Sequence, residues 1–168
     1  MKSIILIITF LMTTNFVDGQ LPKKVKKNVT YTTSSGLQIK FLEINANNPQ
    51  PQTGDVVKVH YTGKLTNDTV FDSSVKRGTP YSFALGKGKV IKGWDEGIAY
   101  LHKGDSAMLT IPSDLGYATR VMGTIPANST LIFYVKLVDF EPGSKPYDAK
   151  GKNIACCAEN LPVHLLRR

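Results

Sequence analysis

Cysteine is scarce in this chain: two among 168 residues, adjacent at Cys156 and Cys157. Neighbouring cysteines pair with each other only in a strained ring, so nothing staples the core and an intermolecular bond stays open to them. There is no Cys-x-x-Cys and no repeated Cys/His spacing, which leaves thiol redox and zinc chemistry without support. The three histidines, His60, His102 and His164, have no nucleophile or acid at a familiar spacing, and no Gly-x-Ser-x-Gly elbow is present. His60 reads as a surface residue on the polar side of a strand. No pair of carboxylates is set for glycoside hydrolysis. Gly86-Lys87-Gly88-Lys89 invites a phosphate-loop reading, but Gly88 to Gly93 is followed by Trp94 where a Walker loop has lysine. Gly86 and Gly88 are better read as turn residues that let the backbone approach a ligand. Covalent and nucleotide chemistry drop out, and no cofactor, metal or nucleic-acid partner is expected.

Long apolar runs are also missing. The run from Ile4 to Met12 is nine residues, well short of the roughly 20 a membrane span needs. With Lys2 before it and small residues up to Gly19 after it, the start resembles a secretory signal peptide, 1–19, cut to leave Gln20 first. The remainder is expected to be soluble and long enough for one domain. The end, Leu165-Leu166-Arg167-Arg168, is not a Lys-Asp-Glu-Leu retention signal, so secretion is preferred to residence in the lumen of the endoplasmic reticulum. Three sequons fit that route, at Asn28, Asn67 and Asn128. Asn67 is the best acceptor, in a polar turn between strand-like runs.

Acidic residues number 13 against 21 basic ones, for a net charge of +8. Much of the excess lies in a basic N-terminal arm, 20–36, and a basic C-terminal tail, 143–168, around the domain at 37–142. Such arms either contact polyanions or serve as solvated, solubilising tails.

Within the domain, Leu37 to Ile44 alternates like a strand, and Asn45 to Thr53, with two prolines, is a loop. Asp55 to Leu65 is a second strand with Val57, Val59 and Tyr61 on one face. It turns at Thr66-Asn67-Asp68 into Val70-Phe71. Asp72 to Pro80 is irregular, Tyr81 to Leu85 returns to strand, and Lys92 to Leu101 is the one helix, with Trp94, Ile98 and Leu101 on one face. Ala107 to Ile111 and Thr130 to Phe140 are strands, separated by a long loop from Ser113 to Asn128. A short helix is possible from Asn153 to Glu159. These elements predict an α+β domain: an antiparallel sheet of about five strands with one short α-helix on one face.

What is abundant is aromatic: Tyr61, Phe71, Tyr81, Trp94, Tyr117 and Phe133, around the carboxylate of Asp72. Rings with one carboxylate beside Gly- and Pro-rich loops make up either a core or an apolar pocket with a few polar groups. Four motifs occur in order: Val59-His60-Tyr61-Thr62-Gly63, Phe71-Asp72-Ser73-Ser74, Val90-Ile91-Lys92-Gly93-Trp94, and Ile125-Pro126-Ala127-Asn128-Ser129-Thr130-Leu131-Ile132-Phe133. Over Leu37 to Phe140 the chain closely resembles the FKBP-type peptidyl-prolyl isomerases, the macrolide-binding immunophilins.

That resemblance implies a bent sheet wrapped over the helix, proline-containing polypeptides as substrates and macrolides as ligands. It implies pocket positions at Tyr61, Phe71, Tyr81, Val90, Ile91, Trp94, Tyr117, Ile125 and Phe133, with Trp94 as floor. It also implies Asp72 as the polar wall with Arg77 as its charge partner, and hydrogen bonds to bound carbonyls from the Ile91 N–H and the Tyr117 hydroxyl. Tyr81 stands where the family commonly has phenylalanine. Ala118 replaces a usual glycine, in a loop about one residue short whose rim is expected to carry Arg120 and Met122. A glycan at Asn128 would crowd that rim. A binding module that keeps the pocket, with little isomerase activity, is the alternative reading.

Overall fold

The computed structural model describes residues 21–22 and 24–143, together with the backbone of Thr14–Asn15. Strands β1 (Thr14–Asn15), β2 (Thr30–Thr32), β3 (Gln38–Glu43), β4 (Val56–Leu65) and β5 (Val70–Ser73) precede a one-turn helix, α1 (Ser74–Arg77). Strand β6 (Tyr81–Ala84), helix α2 (Lys92–Ile98), strand β7 (Ser106–Ile111) and strand β8 (Leu131–Glu141) follow. The strands form one sheet in the order β1-β2-β3-β7-β8-β4-β5, with β6 also on β4. Every pairing is antiparallel except β1 with β2.

Alternation decides the faces. In β4, Val57, Val59, Tyr61 and Gly63 are buried while Lys58, His60 and Thr62 are not, the period of two of a half-buried strand. β8 pairs with β4 along its whole length, and β5 and β6 share the other edge. Register shifts interrupt three of these ladders, at Phe41/Glu43, Lys58/Val59 and Gly63/Lys64. Such bulges bend a sheet and re-aim side chains, and here the sheet curves over α2. The helix buries Gly93, Trp94, Gly97 and Ile98. It sits close because its two glycines face β7: a Cβ at Gly93 would lie 2.6 Å from Ile111 Cγ2, and one at Gly97 2.9 Å from Leu109 Cδ1.

The α+β architecture is as expected, with more strands than the five anticipated. One addition overturns the arm at 20–36. Thr30–Thr32 is a strand on β3, Tyr31 is buried against Phe41, and Leu21, Val25 and Val29 pack on the core. Four lysines disguise this segment, and a strand of three residues is too short to display alternation. A second correction is α1, within a stretch read as irregular. Ser73 caps it by accepting the Lys76 N–H, and Gly78 ends it in the left-handed region, φ 70°. Helix α2 stops at Ile98, although Leu101 is still fully buried in the turn beyond. The loop between β7 and β8 contains a 3-10 turn, Ser113–Leu115, and a bridge between Met122 and Ile125. Cys156, Cys157 and the helix suggested at Asn153 to Glu159 lie outside the described residues.

The turn at Lys103-Gly104-Asp105 is more than a connection. Asp105 is fully buried, and its carboxylate accepts the backbone N–H groups of Asn45 and His102, with His102 Nδ1 at 3.2 Å. It ties the loop after β3 to the end of the helical segment. Asp105→Ala is expected to lower stability by about 1–3 kcal/mol for each donor left unpaired. The measurement is a urea midpoint shift at unchanged slope.

Candidate active site

The aromatic residues converge where the curved sheet meets α2. β4 supplies Tyr61, β5 supplies Phe71 and Asp72, β6 supplies Tyr81, and β8 supplies Phe133. The segment entering α2 gives Val90 and Ile91, the helix gives Trp94, and the loop after β7 gives Tyr117 and Ile125. Together they line a pocket of about 650 Å³. All the wall positions inferred from the sequence are therefore in one place. Phe71 reaches it because of the bulge: Gly63 pairs with Asp72 and Lys64 with Val70, leaving Phe71 out of the ladder.

The question of core or pocket resolves as both. Trp94 and Phe133 are each only 4% exposed, yet both line the cavity. The indole lies 4.9 Å from the Tyr61 ring and 5.2 Å from Phe133, both edge-on, and Phe133 meets Phe71 at 5.5 Å. This is the T-shaped geometry that aromatic quadrupoles prefer. Tyr81, at 42% exposed, stands at the mouth.

Arg77 does not line the pocket. It reaches from α1 behind the wall, where Nη1 donates to Asp72 Oδ1 and Nη2 donates to the Tyr61 hydroxyl at 2.9 Å. The Tyr61 hydroxyl in turn donates to Asp72 Oδ2, and the Ser73 N–H donates to Oδ1 at 2.7 Å. Two pocket-lining residues keep an unspent donor: among the described residues neither the Ile91 N–H nor the Tyr117 hydroxyl has a hydrogen-bond partner. What the geometry can do is hold an apolar ring over Trp94 while donors on the wall receive carbonyls. Among the described residues no cluster of His, Cys, Asp or Glu could hold a metal ion.

The comparisons with known proteins agree with this geometry. The family model described as FKBP-type peptidyl-prolyl cis-trans isomerase matches residues 47–138. The chain belongs to that family. It is 50% identical over 107 residues to FK506-binding protein 1 of Dictyostelium discoideum, covering 63% of this chain and 99% of that one. It is 54% identical over 89 residues to FK506-binding protein 1 of Saccharomyces cerevisiae, covering 52% and 78%. Among solved structures, FkpA from Escherichia coli is similar with a TM-score of 0.64 and 39% identity, over 70% of this chain and 54% of that one. An FKBP-type peptidyl-prolyl isomerase is thus what the pocket belongs to.

Sequence reading missed part of this isomerase's mouth. Lys89, Met122, Gly123 and Thr124 also line it, and only Met122 was anticipated. Lys89 directly precedes Val90, and nothing in a lysine's identity says which way it faces. Arg120, expected on the rim beside Met122, is exposed but does not line the cavity. At the alanine that replaces a glycine, Ala118, the backbone stays left-handed, φ 51°.

Charge in the FKBP pocket is stable towards pH. Burial works to raise the Asp72 pKa, but the hydrogen bonds from Tyr61, Arg77 and Ser73 outweigh it and hold the carboxyl below its ordinary value. Burial, reinforced by the Asp72 carboxylate, pushes the Tyr61 hydroxyl above its ordinary value. Asp72 therefore contributes stability above the unfolded carboxyl pKa of about 3.9, lost as pH falls through its lower folded value. Tyr61 contributes below about pH 10 and loses its contribution as pH rises through its higher folded value. Isomerase activity is expected to be flat between these limits. A bell-shaped profile centred near neutrality would contradict this state of the pair.

Proposed function

We propose that this isomerase accelerates rotation about X–Pro bonds in proteins of the secretory pathway or outside the cell, by non-covalent binding in the aromatic pocket. The observation that carries the reading is the pairing of an apolar floor, Trp94 between Tyr61 and Phe133, with the two unspent donors at Ile91 and Tyr117. An X–Pro amide resists rotation through its partial double-bond character, a barrier of roughly 18–20 kcal/mol. The twisted transition state has lost that resonance and its charge separation. A dry pocket withdraws the water that stabilises the planar, polarised amide and so favours the twisted form. Phe71, Trp94 and Phe133 grip the proline ring. The Ile91 N–H and Tyr117 hydroxyl hold flanking carbonyls, and Asp72 faces the carbonyl that rotates. Macrolides fill the same pocket, as the names of the related FK506-binding proteins suggest for those chains.

Secretion is supported by the basic start and short apolar run, and by sequons whose asparagines, Asn28, Asn67 and Asn128, are all exposed. Protein recovered from medium should begin at Gln20 on N-terminal sequencing; an intact Met1 would refute the route. Activity is tested with a short proline peptide. Asp72→Val is expected to reduce kcat/KM about tenfold, equivalent to about 1.4 kcal/mol, because it removes the negative charge beside the rotating carbonyl and leaves Tyr61 and Arg77 without their carboxylate partner. A macrolide should inhibit the wild type. A rate equal to the uncatalysed background, from correctly folded protein, would overturn the catalytic reading.

A further inference from the structure

The pocket mouth carries an uncompensated positive charge. Its lining includes two charged side chains, Asp72 and Lys89. Asp72 is already neutralised by Arg77. Lys89 is exposed and forms no ion pair or hydrogen bond among the described residues. Its neighbours Lys87 and Lys92 are exposed as well and equally unpaired. Four lysines elsewhere are matched, Lys58 with Glu141, Lys64 with Asp68, Lys103 with Asp139 and Lys136 with Glu43, whereas Lys40 of β3 has no ion pair among the described residues but lies away from the pocket lining. The carboxylate in the first turn of α2 is otherwise engaged. Asp95 of α2 accepts the Gly86 and Gly88 N–H groups, each at 2.9 Å. That grip also fixes the backbone on which Lys89 stands, so the ammonium is tethered beside the pocket without being tied down.

We propose that Lys89 is a specificity-determining residue, favouring proline segments that carry a carboxylate side chain within a residue or two of the proline. The proposal rests on the isomerase reading and adds a substrate class to it. A flanking Glu or Asp finds an unpaired ammonium at the mouth, whereas a flanking Lys or Arg meets like charge from Lys89, Lys87 and Lys92. For a partly exposed pair the preference is modest, about two- to fivefold, and it is screened by salt.

The test uses the full chain and capped Leu-Pro peptides in which Glu, Gln or Lys occupies each flanking position in turn. At low salt, kcat/KM at one or more positions should fall in the order Glu, Gln, Lys, and the spread should collapse near 1 M salt, where the screening length is about 3 Å. K89E should reverse the order and K89Q flatten it. K136E, on the far face of the sheet, should leave it intact. Peptide affinities read from the fluorescence of Trp94, the only tryptophan, run in parallel. If the Gln peptide binds without turnover, the catalytic reading fails, and the charge preference is still decided by the affinities. Equal values for the three peptides at every position, a Glu preference surviving in K89E, or its loss in K136E would each overturn the proposal.

Discussion

Trp94→Ala should remove about 3–5 kcal/mol of stability and abolish detectable isomerase activity. The loss is a large share of the roughly 5–15 kcal/mol that holds a domain folded. Trp94 contacts the rings of Tyr61, Tyr81, Phe83 and Phe133, so its removal opens a void that no single neighbour can fill. That void is continuous with the pocket, and water would enter where the amide has to be dry. Trp94→Phe separates the two effects. It keeps an aromatic floor and deletes a buried indole N–H that has no acceptor among the described residues. Its stability should stay within about 1.5 kcal/mol of wild type. Far-UV circular dichroism in urea and a peptide assay report the pair. A wild-type midpoint in the alanine variant would mean that the indole is not the floor.

The second large effect is expected at Gly63. A Cβ there would lie 2.6 Å from two atoms of the Phe71 ring and 2.8 Å from Phe133 Cε1. Both rings are pocket walls, and the side of β4 they press against is sheet. Gly63→Ala should therefore drive them inward, with an overpacking penalty of about 1–3 kcal/mol. Misplacing the walls by about an ångström should lower kcat/KM on the order of a hundredfold. Stability falling within that range with unchanged kcat/KM would show that the rings yield away from the pocket.

How much of this was legible in the sequence follows from how each residue acts. Val57, Val59 and Tyr61 announce a strand because alternation is local, and Trp94, Ile98 and Leu101 announce a helix face for the same reason. The walls could be listed because their motifs match a family in order. The wall's support was harder to see. Arg77 could be paired with Asp72 by resemblance, but the turn of helix that delivers it is four residues long and has no period. Lys89 carries no structural signal at all, since exposed lysines serve equally in tails and at pocket mouths. The segment at Tyr31 was hidden by composition: its lysines describe an arm, and only the pairing with β3 shows a strand.

Ala118 has a consequence of its own. Its N–H donates to the Ser113 carbonyl and its carbonyl accepts from the Asn128 N–H, so this one residue clasps both ends of the loop that bears Met122 and Thr124. The clasp is held in a left-handed conformation that costs an alanine roughly 1–2 kcal/mol. Floor and rim are consequently held by different means, the floor by the long ladder between β4 and β8 and the rim by a few hydrogen bonds within one loop. Amides of β4 and β8 under Tyr61 and Phe133 are therefore expected to be protected from exchange more strongly than those between Thr119 and Thr124.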